Sequence, residues 1–319
     1  MLFEDLNAFI AVAKLRSFSA AAVRLRVAQS SLSKRVQRLE HHFGVPLLNR
    51  HGRGVSLTEA GTTLLARAQR LADDMADVER DVRGIAAQPT GTVRIALPPA
   101  TSPLLAPLIF EQCRIEFPLI RPQLRESTSE AIHAWLSAGE VDIALMYNPE
   151  YGADFEIEPM ISEPLFLIAP AFERESGRPA SYPVSYPLSA LATLPLILPR
   201  WPHSIRVLVE RLCAGNGIHP NIAFESDSIR STKSIVERGF GCTLFSRAWL
   251  AQDIEAGRLR AVPFSSPLVS WKLCIAHARR EDVSLALMSV KRVIERKVRE
   301  LFQAGTWPDA RLISPAPDA

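Results

Sequence analysis

The sequence predicts an α/β protein in three parts: an N-terminal winged helix-turn-helix, a long linker helix, and a C-terminal body of two doubly wound lobes. Three observations predict it. Residues 18–50 hold two helix-like patterns separated by a tight step. Residues 57–85 carry apolar side chains at intervals of three and four. From residue 92 onward strand-like and helix-like stretches alternate, and the alternation restarts near residue 190.

In the head, Leu6, Phe9, Ile10 and Ala13 follow helical spacing and define a first helix. Ser19 is read as the N-cap of a second, short helix from Ala20 to Arg26, because a hydroxyl accepts from an early backbone N–H. A step at Val27 and Ala28 leads to a third helix ending near His42, with Gly44 as its C-terminal cap. That helix sets Leu32, Val36, Leu39 and Phe43 on one face and Gln29, Ser33, Lys34, Arg35 and Arg38 on others. Beyond it, "LLNRHGRGVSLTEAG" reads as two short strands around a tip at which Gly52 and Gly54 present Arg50 and Arg53.

Charge separates the head from the rest. Residues 1–58 hold nine basic side chains against three acidic ones, a net +6, whereas the whole chain carries +3. A basic head on a mildly acidic body suggests a polyanion partner. Two short helices joined by a tight turn, the second with a polar outer face, form the pattern that reads DNA. Gln29, Ser30, Ser33 and Lys34 lie at the end of the third helix that enters a major groove, where Gln pairs with adenine and Lys with guanine. Arg35 and Arg38 are placed for phosphates, and Arg50 and Arg53 form a wing for a phosphate or minor-groove contact.

The stretch "SFSAAAVRLRVAQSSLSKRVQRLEHHFGVPLLNR", with "GVSLTEAG" after it, resembles the N-terminal domain of LysR-type transcriptional regulators. The resemblance runs through the whole chain in order, more specific in the head than behind it. Ser30 departs from it, standing where the family commonly has proline; serine also suits a helix N-terminus.

The connector runs Leu57, Ala60, Leu64, Ala68, Leu71, Met75, Val78, Val82, Ile85, close to a heptad stripe. A helix packed on its own body would also show one stripe. A sustained stripe between two domains needs a partner to bury it, so Leu64, Leu71, Met75, Val78 and Val82 are read as a dimer seam. "AAQPTG" then breaks the helix at Pro89 and Gly91.

The body opens with a strand at 92–97, a helix from Ser102 to about Phe117, "PQLRESTS", the helical "EAIHAWLSAG" and the buried strand "EVDIALMY". It restarts with "LATLPLILP", a helix from Ser204, "NIAFESDS" and "IRSTKSIVERGFG". Strand 268–278 and a final helix 284–302 return to the first lobe. Alternation of this kind implies parallel sheets. The expected domains are 1–58, the linker 59–88, a first lobe of 92–161 with 266–302, a second lobe of 162–265, and a flexible tail 303–319. The stretch 173–189, rich in Pro, Ser and Tyr, reads as a surface loop. The layout resembles the effector domain of the LysR family, itself like a periplasmic solute-binding protein.

Ligands of such sheets bind beyond the carboxyl ends of strands, near helix N-termini. Thr101 and Ser102, then Thr128 and Ser129, then His203 and Ser204 occupy such places. Arg206 adds a charge, and Phe245 an apolar wall. Helix capping alone would also explain the hydroxyls. Together they suit a small anion, such as a carboxylate or an aromatic acid. "PHSIRVLVERLC" resembles the region that carries the reactive cysteine of the family's peroxide sensors, but Ser204 stands at that position, which argues against a thiol switch here.

The apolar share of 47% and charged share of 22% are those of a globular chain, and no apolar run nears the roughly 20 residues of a membrane span. Glu4 and Asp5 stand where a secretion signal would be basic, so the expected location is the cytosol. Cys113, Cys213, Cys242 and Cys274 lack paired spacing and read as core residues, so no metal and no cofactor are expected. No phosphate loop or nucleophile elbow is present, which argues against an enzyme. A solute-binding protein of a transport system is the alternative, but it requires export and has no use for a basic head. The reading is a ligand-responsive regulator that binds an interrupted inverted-repeat DNA operator as a homodimer or homotetramer, with RNA polymerase a further candidate partner.

Overall fold

The computed structural model describes residues 2–51, 54–82, 88–149, 152–265, 268–280 and 283–313. It divides into two compact units, Met1–Thr92 and Val93–Ala319. No helix among the described residues is long and apolar enough to cross a membrane.

The first unit contains α1 (Leu2–Leu15), α2 (Phe18–Leu25), α3 (Gln29–Phe43), β1 (Leu48–His51), β2 (Gly54–Leu57) and α4 (Glu59–Val82). The cap of α2 is Ser17 and not Ser19: the Ser17 side chain accepts from the Ala20 N–H at 3.2 Å. Phe18 therefore starts the helix, and the Ser19 hydroxyl is left to donate to Gln29 Oε1 at 3.0 Å. Arg26 closes α2 in the left-handed region (φ 54°), and Gly44 closes α3 in the same way (φ 70°). Phe9, Val12, Ala21, Leu32, Val36, Leu39 and Leu47 form the core, which Ala68 of α4 joins.

Two glycines have fixed reasons. A Cβ on Gly54 (φ 138°) would stand 2.8 Å from the Arg16 carbonyl oxygen, which accepts from Val55 N. One on Gly61 would stand 2.0 Å from the Leu47 oxygen, so only glycine lets α4 leave the hairpin there. Thr58 caps α4 by accepting from Gly61 N at 2.9 Å.

The second unit begins with β3 (Gly91–Leu97), α5 (Ser102–Glu116), β4 (Ile120–Glu126), α6 (Ser129–Ala138), β5 (Ile143–Tyr147) and β6 (Phe155–Pro170). It continues through β7 (Leu196–Leu198), α7 (Ser204–Gly215), β8 (Ile222–Glu225), α8 (Ile229–Glu237), β9 (Thr243–Ser246), α9 (Ala251–Glu255) and β10 (Leu259–Val262). It ends with β11 (Ser270–Ala278), α10 (Leu285–Gln303) and β12 (Arg311–Leu312). The first lobe orders its strands β4-β3-β5-β11-β6. In the second, β6 pairs with β9 and β10, β7 pairs with β8, and a bond from Ile197 N to the Cys242 oxygen joins β7 to the start of β9.

The sheets are mixed, which corrects the expectation of parallel ones. β3–β5 and β7–β8 are parallel, but every β6 and β11 pairing is antiparallel. The difference lies in β6, a 16-residue strand whose three prolines hide it in the sequence. Proline removes a ladder donor and is tolerated at bulges and strand switches. Pro159 sits where the register with β11 shifts, and Pro164 sits where β6 leaves Ser270 of β11 to pair Leu165 with Ser246 of β9.

Alternation decides which face each residue covers. Ile143, Leu145 and Tyr147 of β5 face the main core with Leu105 and Ile109 of α5 and Val290 and Ile294 of α10. Ala144 and Met146 face Ile132 and Leu136 of α6. Leu165 and Leu167 of β6 extend the same main core into the second lobe, where Ile205 and Val209 of α7 complete it. The four cysteines are all buried thiols.

The described residues beyond α10 pack on the body, which corrects the flexible tail expected for 303–319; residues 314–319 of that expectation lie outside the described residues. Trp307 is buried (2% exposed) and meets Trp249 edge-on at 5.9 Å, and β12 pairs with Ser162 and Ile161 of β6. The stretch lacks periodicity, so only the groove it fills reveals its role. Replacing a buried Trp with Ala usually costs about 3–5 kcal/mol. Trp307→Ala is expected to lose that much in urea unfolding of the whole chain, whereas a residue in a loose tail would change stability by less than about 0.5 kcal/mol.

Candidate functional site

Two places in the chain concentrate exposed chemistry. On the head, α3 begins at Gln29 after Ala28, which makes no side-chain cap hydrogen bond to the first backbone N–H groups of the helix. An open helix N-terminus attracts anions. Gln29, Ser30 and Lys34 are exposed there, and Ser33 is half-buried.

The later arginines behave differently. Arg38 reaches back to Asp5 of α1 with Nε on Oδ2 at 3.0 Å and a terminal nitrogen on Oδ1 at 2.5 Å. The Asp5 side chain is 4% exposed, so this fork fixes α1 against α3. Arg35 lies 3.6 Å from Glu4 on the same seam. Arg38, expected as a phosphate contact, thus has a structural partner within the head. Arg50 lies on β1, and Arg53 lies outside the described residues. Glu40 accepts from Leu47 N (2.9 Å) and Leu48 N (3.2 Å), which ties the hairpin to α3.

On α4, Leu71 is 59% and Met75 42% exposed, while Leu64 is half-buried against the head core. Val78 and Val82 belong to the same helix, and Ile85 lies outside the described residues. Leu71 and Met75 are thus two large apolar side chains, four residues apart, left open to solvent in the single chain.

In the body, a cavity of about 540 Å³ separates the lobes. Ser129, Glu130, His133, Tyr147 and Asn148 line it from the first lobe, and Trp201, Ser204, Val207 and Arg211 from the second. A second cleft of about 890 Å³ runs between Pro99, Leu104 and Glu126 on one side and Asp227, Arg230 and Trp249 on the other. A small apolar pocket of about 40 Å³ lies inside the second lobe, between His203, Ile168 and Phe245.

Of the expected ligand residues, Ser204 lines the first interlobe cavity and His203 and Phe245 line the small second-lobe pocket, whereas Thr101, Ser102, Thr128 and Arg206 line none of the three. Ser204 opens onto the 540 Å³ interlobe cavity, which Ser129 and Glu130 also line. Thr128 caps α6 by accepting from Ala131 N. Thr101 is fully buried and donates to the Pro98 oxygen, and Ser102 is buried beside it. His203 caps α7, its Nδ1 accepting from Ile205 N at 3.3 Å, so the ring is neutral with its proton on Nε2. Burial holds its pKa below the ordinary value, against the pull of Glu130 and Asp227. Arg206 does not hold a charge ready for a ligand. It is paired with Glu210 at 2.5 Å and Glu225 at 2.9 Å.

Glu130, Tyr147 and Trp201 were not singled out in the sequence. Tyr147 ends a strand, the position that the rule for open sheets marks, but its burial masked it among core aromatics. Its ring stacks on Trp271 at 3.8 Å and its hydroxyl donates to Glu163 Oε1 at 2.9 Å. Glu163 is 1% exposed and also accepts from Trp249 Nε1 at 3.2 Å. Burial pushes this carboxyl above the ordinary range, and its Tyr147, Ser246 and Trp249 partners only partly reverse that. Burial also raises the thiols of Cys113 and Cys242 to about 11, so neither is a reactive thiolate.

Residues 86–298 match the family model of the LysR substrate binding domain, and residues 3–62 match that of the bacterial regulatory helix-turn-helix proteins of the lysR family. The HTH-type transcriptional regulator BbuR of Bordetella bronchiseptica is 28% identical over 307 residues, covering 95% of this chain and 92% of that one. YfeR of Shigella flexneri, an uncharacterized HTH-type transcriptional regulator, is 30% identical over 283 residues, with 89% and 90% covered. Among solved structures, a full-length OxyR variant from Pseudomonas aeruginosa superposes with a TM-score of 0.70 at 21% identity, covering 99% of both chains. Full-length CbnR complexed with its target DNA gives 0.65 at 24% identity, covering 93% of this chain and all of that one. These structural likenesses show the fold.

The Glu163 cluster behind the cavity makes a testable contribution to stability. Glu163→Ala leaves the Tyr147 hydroxyl and the Trp249 N–H without a partner, each costing about 1–3 kcal/mol. Glu163→Gln keeps an acceptor and removes the charge. Because the folded carboxyl titrates above its unfolded value, the native state holds the proton more tightly. Wild-type stability from this group is therefore greatest below the unfolded value and falls as pH rises through the folded one. Urea unfolding across pH 4 to 8 is expected to show Glu163→Gln gaining on wild type as pH rises; a constant difference would contradict it.

Proposed function

This chain belongs to the LysR family of DNA-binding transcriptional regulators with an effector-binding domain, and we propose how it works within that family. It acts in the cytosol as a homodimer or homotetramer on an interrupted inverted-repeat operator. It responds to a small carboxylate-bearing molecule held between the two lobes of its body. The open N-terminus of α3, with Gln29, Ser30 and Lys34 exposed around it, carries the DNA half of this reading. Backbone N–H groups there suit a phosphate, and Gln29 at the first position and Lys34 one turn further in suit base edges. Ser33 and Arg35 flank that end, and Arg50 and Arg53 serve the wing. Arg38 contributes through its hold on Asp5, keeping α3 at a fixed angle to α1.

The α4 seam through Leu64, Leu71, Met75, Val78 and Val82 supplies the second half-site by joining two heads. The interlobe cavity carries the effector half, since it has walls on both lobes and its occupant biases their relative position. Ser204 offers its hydroxyl to an acid group at that wall, whereas Ser102, Thr128 and Phe245 are not among the residues that line the cavity. RNA polymerase is the partner through which promoter output would change.

Two experiments test the assignments. With an operator selected in vitro from random duplexes, Lys34→Ala and Gln29→Ala are each expected to lose about 1–3 kcal/mol of discrimination against random DNA at fixed salt. An equal loss on both DNAs would reduce these residues to phosphate contacts. In sedimentation, Leu71→Glu is expected to weaken dimerisation by at least about 100-fold, the scale of burying an unpaired carboxylate. An undiminished dimer would assign the stripe to packing within one chain.

A further inference from the structure

We infer that Ser19 is a positioning residue for DNA reading: it turns the Gln29 carboxamide so that Gln29 meets a base as a hydrogen-bond donor, at a keto oxygen. This rests on the start of α3 entering DNA, and it adds which base group that end of the helix selects.

The observation is one bond between two helix starts. Ser19, in the first turn of α2, donates from its hydroxyl to Oε1 of Gln29, the first residue of α3, at 3.0 Å. Both residues are exposed. The bond has no task in building the fold. Ser17 already caps α2 through Ala20 N, so the Ser19 hydroxyl is not needed there. The core of the head takes Ala21 and Ala22 from α2 and Leu32, Val36 and Leu39 from α3, so the two helices pack without this surface contact. Gln29 does not spend its side chain on its own helix either. Among the described residues its Nε2 group has no protein acceptor.

The chemistry follows from which atom is occupied. A carboxamide carries an acceptor oxygen and an NH2 donor on different sides of its carbon. A glutamine free to turn pairs with adenine through both, its oxygen accepting from the N6 amine and its NH2 donating to N7. With Oε1 turned toward Ser19, the NH2 is the group left for the groove. Every base pair shows the major groove one keto oxygen, on guanine or thymine, and one exocyclic amine, on adenine or cytosine. An NH2 donor is satisfied by the oxygen and opposed by the amine. The Ser19 bond thus converts a residue that could read either group into one that reads the oxygen.

The test uses the full chain and an operator selected in vitro from random duplexes. Gln29→Ala is expected to flatten the preference at one base pair. Duplexes are then made with that pair lacking its keto oxygen, or lacking its exocyclic amine, and titrated at fixed salt. Wild type is expected to lose about 5-fold or more without the oxygen and less than about 2-fold without the amine, the scale of one hydrogen bond. Gln29→Ala loses neither. Ser19→Ala is expected to reduce the oxygen loss to less than about 2-fold, and Ser19→Thr, which keeps the hydroxyl, to restore it. The inference is overturned if Ser19→Ala keeps the full oxygen loss, if Ser19→Thr fails to restore it, or if wild type loses as much with the amine as with the oxygen. An equal loss by Ser19→Ala on operator and on random duplexes would make Ser19 a phosphate contact and also overturn it. In all of these outcomes the reading of DNA by α3 stands, because Gln29→Ala has identified its base pair. If Gln29→Ala flattens no base pair, that reading fails and the inference with it. The thermal transition of each variant controls for folding.

Discussion

The strand β6 is the constraint on which the rest of the body depends. Its first half belongs to the sheet of one lobe and its second half to the sheet of the other, without a break in the main core between them. At the switch stands Glu163, buried and hydrogen-bonded to Tyr147 of the first lobe and Trp249 of the second. A carboxyl removed from water is tolerated only when its lone pairs are used. These two partners therefore join the lobes at the switch, beside the apolar packing around them. The interlobe cavity is the space left where two lobes tied at β6 diverge. Tyr147 shows the connection directly, since the same residue lines the cavity and anchors the junction.

The head follows the same logic of committing some charges so that others stay free. Asp5 and Arg38 lock α1 to α3, Glu4 and Arg35 reinforce that seam, and Glu40 secures the hairpin through two backbone N–H groups. All of these lie along the middle and end of α3. The beginning of the helix lacks a side-chain cap and keeps Lys34 exposed. One helix thus divides its length between side chains that hold the domain together and side chains left exposed at its start, and the 3.6-residue period sorts them.

Electrostatics in the second lobe likewise depends on pairing that no residue type reveals. Arginine at 206 promises a site for anions, but Glu210 and Glu225 neutralise it, and Asp227 is neutralised in turn by Arg200. Among the described residues that line the interlobe cavity, Glu130 forms no ion pair, whereas Glu210 on the opposite wall is paired with Arg206. The polarity of a binding site is a property of what remains after internal pairs form.

Local chemistry determined much of this protein. Helix-period apolar positions with a tight step define the DNA-reading head. An unbroken three-four stripe defines α4, and alternating runs such as "TVRIAL" and "EVDIALMY" mark central strands. Those signals are short-range, so a single chain displays them in order. What tertiary structure alone decided is everything that depends on residues distant in sequence. It made a 16-residue strand of a segment with three prolines, because bulge and strand switch absorb the missing donors. It turned the two sheets mixed, and it buried Trp307 against Trp249, where the sequence suggests only a tail. It moved the α2 cap to Ser17 and gave Arg38 to Asp5. In each case the deciding partner lies across the fold or in a precise backbone angle, and neither is encoded in the spacing of residues along the chain.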